Sequence, residues 1–165
     1  FLPLTKNNKL VLMGRAELGF LGYYNINKRS PFETFWVGGD GMTGYSSTYA
    51  TETVALRGYT NGSLTPYYNG YQAGNIYARF SIELRYPIVL KESTMVWALV
   101  FAEAGNCWRD YNNFNPFDLK RSAGVGLRVY MPMIGLLGVD WAYGFDKVNG
   151  TVSGSQFHFV IGQEF

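Results

Sequence analysis

The feature that most constrains the fold is the alternation of apolar and polar residues along several separate stretches of the chain. It is clearest in residues 75–86, where one face carries Ile76, Ala78, Phe80, Ile82, Leu84 and Tyr86, and the other carries Arg79, Ser81, Glu83 and Arg85. Successive side chains of a β-strand point to opposite faces, so a period of two predicts a strand with one apolar face.

The same alternation predicts six strands and the remnant of a seventh, and no stretch has helical periodicity. The strands are expected at residues 9–23, 75–86, 94–105, 122–131, 137–145 and 156–165, with the remnant at residues 1–4. Pro87 is expected to end its strand. Residues 106–116 are expected to form a loop containing Cys107, and residues 147–155 a loop with a hairpin turn at Asn149 and Gly150. The predicted fold class is all-β.

Two kinds of barrel fit such strands, a soluble ligand-binding barrel with its apolar face inside and a transmembrane barrel with its apolar face toward lipid. The polar face mixes Arg, Glu and Asp with glycine and lacks a lysine-rich solvent pattern. Aromatic residues at strand ends are typical of interfacial girdles: Phe20, Tyr23, Tyr86, Trp108, Tyr130, Phe145 and Phe165. These features favour the membrane barrel. Because membrane barrels have at least about eight strands and tolerate no open edge in hydrocarbon, remaining strands of the same or another chain are expected to complete it.

Between the first two full strands lies a long segment, residues 24–73, rich in aromatic residues. Connections longer than about 12–15 residues are usually functional or disordered, and disordered segments contain few aromatics. The segment is therefore expected to be an ordered loop that packs against an enclosing surface.

Composition excludes several classes of function. A net charge of +2 is too small to indicate nucleic-acid binding. One cysteine supplies neither a disulfide framework nor a metal cluster. The lone His158, even with Glu164 or Asp140, has no suitably spaced serine or cysteine nucleophile. We therefore expect a protein that is not an enzyme and uses no cofactor or metal.

Several motifs carry a resemblance to a known family. Residues 31–39 (PFETFWVGG) and 56–59 (LRGY) resemble the long sixth loop of the BamA family of outer-membrane assembly and secretion barrels. Residues 101–105 (FAEAG), 121–128 (RSAGVGLR) and 157–165 (FHFVIGQEF) are similar to the strands that follow that loop, and they occur in the family's order.

The resemblance implies that residues 1–165 are the C-terminal part of a 16-stranded antiparallel transmembrane β-barrel of the bacterial outer membrane, with the long loop inserted into its lumen. N-terminal strands and periplasmic domains are expected to precede it. The implied function is folding and membrane insertion of other β-barrel proteins; the alternatives are a polypeptide-secretion transporter of the same superfamily and a plain porin-like barrel. The implied partners are membrane lipid, unfolded outer-membrane protein clients and accessory assembly lipoproteins.

The resemblance also implies the site residues. Arg57 is expected at the loop tip, paired first with Glu103 and second with Glu83, both on lumen-facing positions. Gly58, Tyr59, Gly38 and Gly39 complete the loop motif. In a partly wet lumen the pair is expected to contribute about 1–3 kcal/mol.

A second group of residues concerns the last strand. Gly154, Phe157, Phe159 and Phe165 match the terminal signal that outer-membrane proteins present to the assembly machinery. Gly162, together with Gly124, Gly126, Gly138 and Gly144 on neighbouring strands, is expected to weaken the sheet locally. A weak seam would let the last strand offer its edge to a client strand.

Replacing Phe165 with aspartate is expected to impair biogenesis more than the function of the assembled barrel. A charged side chain facing lipid costs up to about 2–4 kcal/mol at the midplane and less near the interface. The check is the membrane level of heat-modifiable protein, and a normal level in Phe165→Asp would contradict the prediction.

Overall fold

The computed structural model describes residues 1–5, 9–22, 33–41, 51–91 and 93–162. In chain order the strands are β1 (Leu2–Pro3), β2 (Val11–Phe20), β3 (Thr34–Val37), β4 (Thr51–Val54), β5 (Tyr67–Tyr68), β6 (Tyr71–Gln72), β7 (Ile76–Lys91), β8 (Thr94–Trp108), β9 (Lys120–Met131), β10 (Gly135–Val148) and β11 (Thr151–Ile161). A short 3-10 helix, Tyr111–Asn113, lies between β8 and β9.

Seven strands form one antiparallel sheet in the order β1-β2-β7-β8-β9-β10-β11. The prediction of six strands and a remnant is confirmed, and β1 is the remnant. β1 and β11 lie at the two edges, so the described part of the chain forms an open sheet and not a closed barrel. Among the described residues, none belongs to a helix long and apolar enough to cross a membrane.

The described parts of the long loop, residues 33–41 and 51–73, carry small sheets of their own. β3 pairs with β4 in parallel, and β5 pairs with β6 as a hairpin. Phe35, Val37, Val54, Leu56 and Tyr59 pack into a buried cluster with Tyr77 and Cys107 of the main sheet. The loop is therefore ordered and packs on the sheet. Three aromatic residues of the loop, Phe32, Tyr45 and Tyr49, lie outside the described residues.

The two faces of the main sheet have opposite character. The inner face, which the loop covers, carries buried charged and polar residues: Arg79, Ser81, Glu83, Glu103, Ser122, Arg128, Asp140 and His158. The outer face carries exposed apolar residues: Phe80, Ile82, Val100, Val125, Leu127, Val139, Trp141, Phe157 and Phe159. An apolar exterior around a polar interior is the arrangement of a transmembrane barrel.

Two predicted strand ends are wrong. β7 does not end at Pro87 but continues to Lys91, with a shift in register between Pro87 and Val89. A proline lacks the N–H for a regular ladder, and an irregularity at this point accommodates it. The predicted loop at residues 147–155 is also wrong, since β10 ends at Val148 and β11 begins at Thr151. Only the turn between them is as predicted, with Asn149 and Gly150 at φ 51° and 86°.

The predicted positions of Cys107 and Trp108 also need correction. Both lie at the end of β8 and are buried, so Cys107 is not in a loop and Trp108 is not in an exposed interfacial girdle as the sequence predicts. The centroids of the Trp108 and Phe114 rings lie 4.9 Å apart, because the segment after β8 folds back over the strand end. Four other girdle residues are exposed as expected: Phe20, Tyr86, Tyr130 and Phe145. Tyr23 and Phe165 lie outside the described residues.

Candidate functional site: a charged cradle beneath the loop tip

The loop tip, residues 56–59, is held in place by contacts within the loop. Leu56 and Gly39 exchange two backbone hydrogen bonds of 3.1 Å, which form an antiparallel bridge just beyond the parallel pair β3–β4. A Cβ on Gly39 would lie 1.4 Å from the side-chain oxygen of Asn61, so the chain packs closely there only because the residue is glycine. A Cβ on Gly38 would lie 2.7 Å from the carbonyl oxygen of Thr60. These two glycines let the loop fold tightly behind its tip.

Arg57 reaches from the tip to three carboxylates of the inner face. Its backbone N–H donates to Glu103 Oε2 at 2.8 Å, and its Nε and Nη2 donate to Glu103 Oε1 at 3.2 and 2.7 Å. Nη2 also donates to Glu83 Oε1 at 2.5 Å, and Nη1 to Asp140 Oδ2 at 3.1 Å. The structure thus brings Arg57 together with both predicted partners, Glu103 making the most contacts, and adds Asp140.

Each of the three carboxylates is also held by an arginine of the main sheet. Arg85 donates to Glu83 at 2.9 and 2.7 Å, and Arg79 donates to Glu103 at 2.9 Å. Arg128 donates to both oxygens of Asp140, at 2.6 and 2.7 Å. We call these six residues of β7, β8, β9 and β10 the cradle. Each carboxylate of the cradle therefore has an arginine partner besides Arg57.

Arg57 is enclosed more completely than a partly wet lumen would allow. The side chains of Arg57, Glu103 and Asp140 are 0% exposed and that of Glu83 is 1% exposed. The guanidinium carbon lies 3.6 Å from the centroid of the Phe101 ring, which covers one of its faces. The expectation that water weakens the pairing of Arg57 with Glu103 is therefore wrong. The described residues form a buried ion cluster, in which the loss of one partner leaves the remaining charges uncompensated.

Two opposing effects act on the charge of Arg57. Burial lowers the pKa of its guanidinium, whereas Glu103, Glu83 and Asp140 raise it, and the net result is a raised pKa. Arginine is therefore held firmly in its charged form. Removing any one partner would leave the others charged and buried, which costs several kcal/mol, on the order of 3–5.

Gly58 and Tyr59 attach the tip at two further points. The Gly58 N–H donates to His158 Nε2 on β11 at 2.9 Å. The Tyr59 hydroxyl donates to the carbonyl oxygen of Arg121 on β9 at 2.6 Å. Burial raises the pKa of Tyr59 to about 12, so the hydroxyl keeps its proton at neutral pH. Together with the Arg57 contacts, the tip binds five consecutive strands, β7 to β11.

Glycines of β9 and β10 make room for these contacts. A Cβ on Gly126 would lie 1.9 Å from Asp140 Oδ1, and one on Gly138 would lie 2.7 Å from the Arg128 side chain. A Cβ on Gly124 would lie 2.6 Å from the Phe101 ring, and one on Gly144 would lie 2.4 Å from the Gly58 carbonyl oxygen. These glycines therefore have a structural role, which is to leave the space that the cradle and the tip occupy. That they also weaken the sheet locally stays a prediction.

The residues of the predicted terminal signal lie on β11, except for Phe165, which is outside the described residues. Phe157 and Phe159 are 67% and 60% exposed on the outer face, and Gly154 has a φ of 70° within the strand. Gly162 directly follows β11, and its N–H donates to the Leu136 carbonyl at 2.7 Å. The side chains of Phe157 and Phe159 are thus separate from the loop-tip site and lie on the opposite face of the sheet.

Sequence reasoning missed Asp140, Arg128 and the His158 contact. A usable signal existed for Asp140, because it is the one charged residue among the inward positions of the predicted strand 137–145. In the described part of the chain, no three His, Cys, Asp or Glu side chains are grouped so as to hold a metal ion. What the cradle does chemically is to bind a guanidinium group and so fix the loop.

Comparison with known proteins agrees with this architecture. The structure is similar to the crystal structure of BamA from Haemophilus ducreyi lacking POTRA domains 1-3, with a TM-score of 0.63 and 24% sequence identity. The match covers 96% of this chain and 32% of that one, so the chain spans about a third of the length of this relative. The predicted fold, a part of a BamA-like barrel, is confirmed.

A family model, the Omp85 superfamily domain, matches residues 1–165. This match covers the loop tip, the cradle and every strand of the main sheet. The chain therefore belongs to the Omp85 superfamily of the bacterial outer membrane.

Proposed function

We propose that the chain is the C-terminal part of a barrel that folds other β-barrel proteins and inserts them into the outer membrane, without enzymatic chemistry. The observation that supports the proposal is that the loop tip binds five consecutive strands, of which β11 is the outermost in the described part of the chain. The loop tip holds β7 to β11 together from inside, while β11 pairs on one side only, with β10, in the described part of the chain.

An edge strand is a template for another strand, because its backbone N–H and C=O groups can pair with a second chain. In lipid this drive is strong, since an unpaired backbone group in hydrocarbon costs several kcal/mol. The exposed Phe157 and Phe159 keep the outer face of β11 in contact with lipid. A client strand would thus replace its backbone hydrogen bonds to water with hydrogen bonds to β11 within the bilayer.

The proposed partners follow from this mechanism. They are membrane lipid at the outer face, an unfolded barrel client at the edge of β11, and the remaining barrel strands, which pair with that edge when no client is present. Accessory assembly lipoproteins would act on parts of the protein outside this chain. The mechanism uses no cofactor and no nucleic acid.

Crosslinking can test the proposal in the whole protein reconstituted into liposomes. Cysteines substituted at Phe157 or Phe159 should form disulfides with single cysteines in the terminal strands of a urea-unfolded barrel client. Moving the cysteine of β11 from position 157 to position 159 should shift the crosslinked client position by two residues. Val125 provides the matched control, since it is also on the outer face and 49% exposed but lies on β9 inside the sheet. Equal crosslinking from Val125 would contradict the edge mechanism.

The alternative of polypeptide secretion differs in its product. An insertase should raise the folding rate of the client, measured by heat-modifiable mobility, with the product embedded in the bilayer. A transporter should instead carry an unfolded polypeptide into the vesicle, where external protease cannot reach it. Transport into the vesicle without faster client folding would overturn the proposal. If neither client folding nor transport is observed, the result favours a plain porin-like barrel.

A further inference from the structure

We propose that His158 is a positioning residue that couples the loop tip to β11, and that it does so only as a neutral imidazole. The coupling deepens the proposed function, because it links the buried tip to the strand that would meet a client. The bond itself is independent of what the barrel does.

The geometry determines the protonation state of the ring. The Gly58 N–H is always a donor, and it points at His158 Nε2 at 2.9 Å. Nε2 must therefore carry a lone pair, which places the single proton of the neutral ring on Nδ1. A protonated ring would set two N–H donors against each other, because both nitrogens of the imidazolium carry protons.

His158 is buried among charged groups of the loop and the inner face. The side chain is on the inner face and the residue is 5% exposed. The charged groups that act on it are Asp40 after β3, Asp140 on β10, Arg57 at the tip and Glu103 on β8. Glu103 and Asp140 each already accept hydrogen bonds from two arginines, and Arg57 would repel a second positive charge.

The bond also depends on the register of β11. His158 is paired with Asp140 in the β10–β11 ladder, which places both side chains on the inner face. A slip of one residue would turn His158 to the outer face, and a slip of two would move it by roughly 6–7 Å along the strand. The tip therefore remains bonded to β11 only while that strand is in register and its histidine is neutral.

Hydrogen exchange at the loop tip provides the test, in the whole protein embedded in lipid nanodiscs. Mass spectrometry with residue-level fragmentation would compare the Gly58 and Arg57 amides at about pH 4 and about pH 8, two values on either side of the range in which imidazoles titrate. Rates are normalised to an unstructured peptide at each pH. The Arg57 amide is the internal control, because its acceptor is Glu103 Oε2, at 2.8 Å, and not a histidine.

Protection of the Gly58 amide is expected to fall about tenfold between the higher and the lower pH, the effect of losing one buried hydrogen bond, with the Arg57 amide unchanged. His158→Gln retains an acceptor that does not titrate, so it should keep the protection at both values. His158→Leu should lose it at both. Wild-type Gly58 protection that does not change with pH, or the same pH response in His158→Gln, would overturn the proposal.

This readout separates the inference from the proposed function. The exchange measurement needs only the folded barrel, with no client and no insertion assay. Normal His158-dependent protection without insertion would reject the proposed function alone. Insertion with Gly58 protection that is independent of His158 would reject the coupling alone.

Discussion

Replacing Arg57 with alanine is expected to destabilise the anchored loop by about 3–5 kcal/mol, the cost of leaving buried charges without their partner. Glu83 and Asp140 would each lose one hydrogen bond from the Arg57 side chain, and Glu103 would lose two. The sheet should remain assembled, because the cradle arginines still hold the three carboxylates. Limited proteolysis of the reconstituted barrel should therefore cut within the loop far faster than in the wild type.

Arg121→Ala is the matched control for this experiment. Arg121 also forms a carboxylate pair, with Asp146 at 2.9 Å, but its side chain is 68% exposed. Its carbonyl oxygen, which accepts the Tyr59 hydrogen bond, is retained in alanine. Proteolysis of the loop should be unchanged in Arg121→Ala. Arg57→Lys should rescue the loop only in part, because lysine lacks the planar fork that contacts several carboxylates at once. Equal cleavage of the Arg57→Ala and Arg121→Ala proteins would contradict the anchor.

Gly58→Ala is expected to cause the second largest loss of stability of the anchored loop, for two separable reasons. Gly58 has a φ of 88°, where a side chain costs about 1–3 kcal/mol. Its Cβ would also lie 2.8 Å from Ser122 Cβ and 3.1 Å from the Gly144 backbone nitrogen. Neither neighbour is the end of a flexible side chain, so the tip must move away from the sheet, at a cost of about 1–3 kcal/mol for overpacking.

Gly70→Ala isolates the backbone part of this effect. Gly70 has a φ of 81°, but a Cβ there would meet no atom within 4 Å. Both variants should show faster hydrogen exchange of the loop amides than the wild type. The additional loss of protection in Gly58→Ala, compared with Gly70→Ala, measures the contact of the tip with β9 and β10. If the two substitutions cost the same, the tip does not pack against the sheet as described.

The alternation of residues was sufficient to identify the main strands and their two faces. The direction of a side chain in a strand is a local property with a period of two, so residues 75–86 carry the information without reference to any other segment. The same parity placed Glu83 and Glu103 on the inner face. The LRGY motif supplied the loop tip through resemblance, and an arginine there had a charge that needed a partner.

Strand ends were less predictable, because they depend on pairing. β10 and β11 extend to their two-residue turn since each completes the other's ladder, and β8 continues through Cys107 because β7 pairs with it as far as Ile76. Pro87 remains inside β7 for the same reason. None of these pairings is visible within the segment itself.

The composition of the site was decided by tertiary structure alone. Arg57 meets Asp140, 83 positions away, and Gly58 meets His158, 100 positions away, only when the register of five strands is set. The small size of Gly126 and Gly138 is explained only by the side chains of Asp140 and Arg128 beside them. A sequence determines which side chains face inward, whereas the relative positions of strands and loop determine which of them touch.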